Sequence, residues 1–136
     1  MYTIERRQSG YLLTFSGKIN LDEMQRWHDD SERKLAYERD KEFGVIVDMR
    51  DLQPLAINVK KLMIDGQRMY KEKGMNRSAV ILSSSEVCRQ FKSLAIQSGI
   101  YATERYIDAS QSTRAIEQAI HWVKDAIDPD RGQRAA

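Results

Sequence analysis

Two short stretches constrain this chain more than anything else in it: "FGVIVDM" at 43–49 and "SAVILS" at 78–83. Both are continuously apolar and largely β-branched, where a strand with one wet face would alternate. Such runs read as strands covered on both sides, the pattern of parallel neighbours in an α/β sheet. The segment between them carries a helical period and is far too long for a hairpin, so it reads as a crossover.

The other elements follow from the same periodicities. "YTIERRQSGYLLTFSGKI" alternates around Ser9-Gly10 and predicts a β-hairpin. "NLDEMQRWHDDSERKLAYERD" predicts a helix from Leu21 to about Arg39, capped by Asn20, with Leu21, Met24, His28, Ser31 and Leu35 on its inner face. A second helix is expected from Asn58 as its cap to Gly74, with Val59, Leu62, Met63, Gly66, Met69 and Tyr70 inward. Gly66 in that stripe suggests a close approach to the sheet. A third helix starts at Ser84 or Ser85 and turns Val87, Phe91, Leu94, Ala95 and Ser98 inward as far as Gly99. "YATERYID" (101–108) reads as a last strand, and a final helix buries Ala115, Ile116, Ala119, Ile120, Val123 and Ile127. The predicted architecture is one α/β domain over 1–127, β-β-α-β-α-β-α-β-α, with a mixed sheet of about five strands and about four helices. Residues 128–136, "DPDRGQRAA", read as a mobile polar tail.

Composition narrows the functional classes. The formal charge of +2, from 22 Lys and Arg against 20 Asp and Glu, is too even for a nucleic-acid footprint. A single cysteine, Cys88, excludes an internal disulfide and a cysteine-based zinc site. The first residues are charged where a secretory signal would be apolar, and no run reaches the roughly 20 apolar residues that span a bilayer. The expectation is a cytoplasmic domain that is not transmembrane.

"GVIVDMRDL" followed by a helix from Val59, and the closing "ERYIDASQSTRAIEQAIHWV", resemble the central strand and the C-terminal strand-turn-helix of the SpoIIAA-like (STAS, anti-sigma-factor-antagonist) superfamily. The resemblance covers about residues 2–127 and implies a small mixed sheet flanked by helices. Members that act as anti-sigma antagonists carry an Asp-Ser-Ser-Gly motif before the second helix, with one serine phosphorylated by a partner kinase. Those positions fall on Ala56, Ile57, Asn58 and Val59, and residues 49–59 hold no hydroxyl. The resemblance is therefore to the divergent branch that lacks this switch. It implies a docking region around the second helix, and the comparison of some members with lipid-binding modules implies a small apolar ligand as an alternative.

Candidate sites are few. The carboxyl ends of parallel strands are where open α/β sheets bind ligands. They bring Asp48, Arg50, Asp51, Ser83, Ser84 and Ser85 to one edge, with Asp108 beside them. A phosphotransfer or hydrolytic role for Asp48 is weighed against a bracing role, in which Arg50 pairs with an aspartate and the serines cap the third helix. His28 lacks a partner at telling spacing, and Cys88 lacks a second thiol. The partner surface expected is Asn58, Lys60, Lys61, Ile64, Arg68 and Ile96: outward isoleucines on adjacent helices among cations. The leading expectation is a non-enzymatic regulatory domain binding a protein partner, with no cofactor, and a homo-oligomer is compatible with it. Met24, Met49, Met63 and Met69 keep the alternative of a pocket for an apolar ligand open.

Overall fold

The computed structural model describes residues 1–134. β1 (Tyr2–Arg7) and β2 (Gly10–Gly17) form the expected hairpin, followed by α1 (Leu21–Leu35), β3 (Phe43–Leu52), α2 (Ile57–Lys73), β4 (Met75–Leu82), α3 (Ser85–Ser98), β5 (Glu104–Asp108) and α4 (Ala115–Asp125). The sheet order is β1-β2-β3-β4-β5, with β1 antiparallel to β2 and all other pairs parallel. The two apolar runs are neighbours, with Val47 opposite Val80.

Their side chains divide by parity, as the pleat requires. Val45, Val47, Val80 and Leu82 join a core with α1, α2 and the inner side of α3; Ile46, Ala79 and Ile81 join a second core with α4. Three crossovers of one hand between successive neighbours put α1, α2 and α3 on the same face. That leaves α4 alone on the other, held at both ends of its last turn. Trp122 donates through Nε1 to the Ser78 carbonyl at 2.9 Å, and the Arg77 guanidinium reaches the carbonyls of Trp122 and Val123 at 2.9 and 3.1 Å. Arg77 thereby satisfies acceptors that every helix C-terminus leaves open.

Several expectations are corrected at the level of helix faces. In α1 the fully buried aromatic is Trp27; Leu21 is exposed and His28 half-buried, and the helix ends at Leu35 instead of Arg39. The phase is set by the heavier ring, which packs edge-on to Phe15 and stacks on Tyr70. Gly66 does serve a close approach, but to Trp27 of α1 and not to the sheet: a Cβ there would lie 2.2 Å from the indole. Asn58 does not cap α2. Ala56 holds that position without a side-chain bond, and the Asn58 side chain accepts from Val59 N inside the first turn. In α3 only Ala95 is buried and Leu94 points outward; in α4 Trp122 replaces Ile120 in the core. The last strand is shorter than expected, because residues 100–102 form a 3-10 turn.

The described part of the tail is tied to the domain. β6 (Ile127–Asp128) pairs with β7 (Gln133–Arg134), and Asp128 is buried against Arg105 of β5; residues 135–136 lie outside the described part. Arg105 Nε and Nη2 donate to the two Asp128 oxygens at 2.9 and 3.2 Å, with the guanidinium 3.7 and 4.2 Å from the ring centres of Tyr101 and Trp122. Asp130 then pairs with Lys92 of α3 at 3.2 Å and accepts from Tyr101. Arg105 stands on the α4 face and Lys92 on the opposite one, so this strap passes outside β5 and shields an edge strand from pairing with another chain.

A second polar cluster ties the hairpin to the end of α1. Glu38 accepts from Tyr11 at 2.5 Å and from Arg6 Nε at 2.9 Å, and Arg6 also reaches Asp40 at 2.8 Å. Burial works to raise the Glu38 pKa, but the bonds from Tyr11 and Arg6 outweigh it and hold the carboxyl near 2, below its ordinary 4.5. A carboxyl depressed on folding contributes stability that is complete above 4.5 and lost as pH falls toward 2. Glu38→Gln is expected to lower stability at neutral pH by about 2 kcal/mol. Its urea midpoint should then fall less than the parent's between those two pH values.

Candidate functional site

The carboxyl edge of the sheet separates into two groups. On β3, Arg50 chelates Asp48: Nε and Nη2 donate to the two carboxylate oxygens at 3.0 and 2.7 Å, and the Arg50 amide adds a bond at 3.2 Å. Asp48 shares its side of the strand with Ile46, so the pair lies on the α4 face; Asp51 is exposed beyond it. The chelate raises the Arg50 pKa and occupies both oxygens that an acyl-phosphate chemistry would use.

The second group sits at the ends of β4 and β5. Ser83 is exposed, the Ser84 hydroxyl accepts from Val87 N at 3.3 Å as the cap of α3, and Ser85 donates to Asp108. Asp108 also accepts from the Ser110 hydroxyl at 2.5 Å and its amide at 2.9 Å, and these bonds, with that from Ser85, lower its pKa. Asp48 and the Ser85–Asp108 pair therefore share an edge without meeting on one face. Beside the serines lies an open cleft of about 400 Å³ lined by Cys88, Arg89, Lys92 and Asp130, among others. Burial, then the charges of Asp108 and Asp130, push the Cys88 thiol up to about 11, so it is held as the thiol and not the nucleophilic thiolate.

The proposed partner surface is also divided. Trp27 meets Gly66 and His28 Nε2 meets Asp65 at 3.1 Å, which places α1 along one flank of α2. Ile57, Lys60, Ile64 and Lys71 recur at spacings of three, four and seven on the flank turned away from α1, toward α3, with Lys61 and Arg68 further out. On α3 the flank toward α2 carries Val87 and Leu94; Ile96 shares the opposite flank with Arg89 and Lys92, beside the cleft at the β5 edge. By helix phase Ile64 and Leu94 stand on the flanks of α2 and α3 that turn toward each other, whereas Ile96 faces elsewhere. α1 and α2 pack together and α3 rests mainly on β5 and the turn before it, so a furrow is left between α2 and α3. Asn58 lies on the α1 side of the first turn and lines no part of that furrow.

The Asp65 partner of His28 and the Asp128 partner of Arg105 were outside the reach of sequence reasoning, because each pair joins distant segments. Arg105 alone gave a signal: it occupies an inward position of an alternating strand, where a cation requires a counter-ion. No helix among the described residues is long and apolar enough to cross a membrane.

No family model matches the chain, and no curated protein matches its sequence. Among solved structures, an uncharacterized protein of the DUF3478 family with a SpoIIAA-like fold, from Shewanella loihica PV-4, is similar with a TM-score of 0.57. The two are 17% identical, and the match covers 86% of this chain and 90% of that one. At this identity the likeness is one of fold, and it agrees with the strand order, the mixed sheet and the four helices described above. The chain has a SpoIIAA-like fold.

Proposed function

We propose that this is a cytoplasmic, non-enzymatic binding domain that engages a protein partner along the facing flanks of α2 and α3. The observation that carries the reading is the exposure of three large aliphatic side chains at the furrow: Ile57 is 76%, Ile64 47% and Leu94 62% exposed. Single exposed aliphatics are ordinary, but a grouped set on two adjoining helices is what a partner buries. The polar groups at the sheet edge support the same reading, since Asp48, Asp108, Ser84 and Ser85 are engaged in bracing bonds within the chain.

The test uses a photo-crosslinking residue placed at Ile64, Leu94 or Ile96 in the native host, followed by titration of the captured protein against the purified domain. Crosslinking from the first two positions and not from Ile96 is expected. Ile64→Asp or Leu94→Asp should weaken the purified complex by roughly tenfold or more, with the circular dichroism unchanged. Equal capture from all three positions, or full affinity after both changes, would overturn the reading.

A further inference from the structure

We infer that the α2–α3 furrow takes an acidic amphipathic helix of the partner. This rests on the binding reading above and adds the chemistry of what binds. The first observation is charge. Lys60 and Lys71 stand on the same flank as Ile57 and Ile64, with Lys61 and Arg68 at its outer border, and all four are exposed. Of these, only Arg68 has a carboxylate nearby, Asp65 at 3.8 Å, and Asp65 is itself turned to His28 at 3.1 Å. The aliphatic row is therefore framed by cations of which Lys60, Lys61 and Lys71 meet no carboxylate within 4 Å among the described residues. Leu94, on the far wall, lies among Gln90, Ser93 and the opposed charges Glu86 and Arg89, so the surplus of positive charge is on the α2 side. A partner that fills this surface presents apolar groups flanked by carboxylates.

The second observation is shape. The apolar side chains stand on two neighbouring helices that touch little, α3 resting mainly on β5 and the turn before it, which leaves room for a groove between them. A third helix seats in such a groove with anchors at i, i+4 and i+7, whereas a bilayer is flat and takes the convex face of a single helix. The net charge of +2 also gives little general attraction to an anionic surface. The chemistry assigned is thus local to the furrow: aliphatic anchors for Ile64 and Leu94, and Asp or Glu for Lys60 and Lys71.

The test needs no knowledge of the natural partner. A labelled synthetic helical peptide with leucines at i, i+4 and i+7 and glutamates on its flanks is titrated with the purified domain by fluorescence anisotropy. Three arms run beside it: the same residues in scrambled order, the peptide with lysine for each glutamate, and phosphatidylglycerol vesicles. The ordered acidic peptide is expected to bind, with affinity falling as salt rises, at least roughly tenfold more tightly than the scrambled and lysine peptides. Lys60→Glu with Lys71→Glu, both exposed and outside the core, should exchange the preference to the lysine peptide. Equal binding of ordered and scrambled peptides, no binding of any peptide, or binding of the vesicles instead would overturn the inference. Capture through Ile64 and Leu94 of a protein whose docked segment carries no carboxylates would overturn it too, while leaving the protein-binding reading intact.

Discussion

Asp128→Ala is expected to lower the unfolding free energy by about 3–5 kcal/mol, the usual cost of leaving one member of a buried ion pair alone. Arg105 and Asp128 are 5% and 3% exposed. The guanidinium is packed against Tyr101 and Trp122. Without Asp128 it keeps contacts to the carbonyls of Tyr101 and Glu104, but its charge has no counter-ion in a site closed to water. Burial alone would raise the Asp128 pKa; the Arg105 bonds outweigh it and lower it, so the pair supports the fold at neutral pH and weakens as acid protonates the carboxyl. Chemical denaturation of Asp128→Ala measures the cost. The double variant Arg105→Met with Asp128→Leu separates charge from shape: replacing both members by apolar groups of similar volume should recover most of the loss. A loss under 1 kcal/mol for Asp128→Ala, the range of an exposed pair, would show that the strap lies open to water.

Gly10→Ala is expected to be at least as damaging, for a steric reason. Gly10 opens β2 at φ 154°, directly opposite Gly44 in the parallel ladder. A Cβ built there would lie 1.8 Å from the Gly44 carbonyl oxygen, inside any real contact, and the obstructing atom is backbone. Gly44 has no room to retreat, because its own Cβ position is 2.6 Å from Val123 of α4. Relief requires parting β2 from β3 or lifting α4, and both are core interfaces. The expected cost exceeds about 3 kcal/mol, above the strain of a left-handed residue alone. Collapsed amide dispersion in the NMR spectrum, or a urea midpoint shifted far below that of the parent, is the expected readout. A variant with parental stability would mean that β2 and β3 do not close at this register.

The two central strands were legible because a run buried on both faces leaves no choice of environment: every residue of "VIV" and "AVIL" must be apolar. Helix faces were less so. Trp27 and His28 are neighbours, and only the position of Gly66 on another helix decides which of them turns inward. Leu94 and Ile96 look alike in sequence, and their difference arises from α3 lying at the end of the row, with one flank toward α2 and the other toward the open side of β5. The strap was hidden for a related reason. "DPDRGQR" is polar throughout, and nothing local indicates that Asp128 meets an arginine 23 positions away. At the sheet edge the bracing roles of Ser84 and Arg50 were readable from local spacing, since capping and i, i+2 pairing are short-range geometry.

The furrow between α2 and α3 is the centre of this account, and amide chemical-shift mapping tests it most directly. On titration with the acidic amphipathic peptide, perturbations should gather on Ile57–Lys73 of α2 and the Val87 and Leu94 flank of α3, leaving the cleft around Cys88 and Asp130 still. Shifts gathered instead at that cleft, or at the Asp48–Arg50 edge, would contradict it.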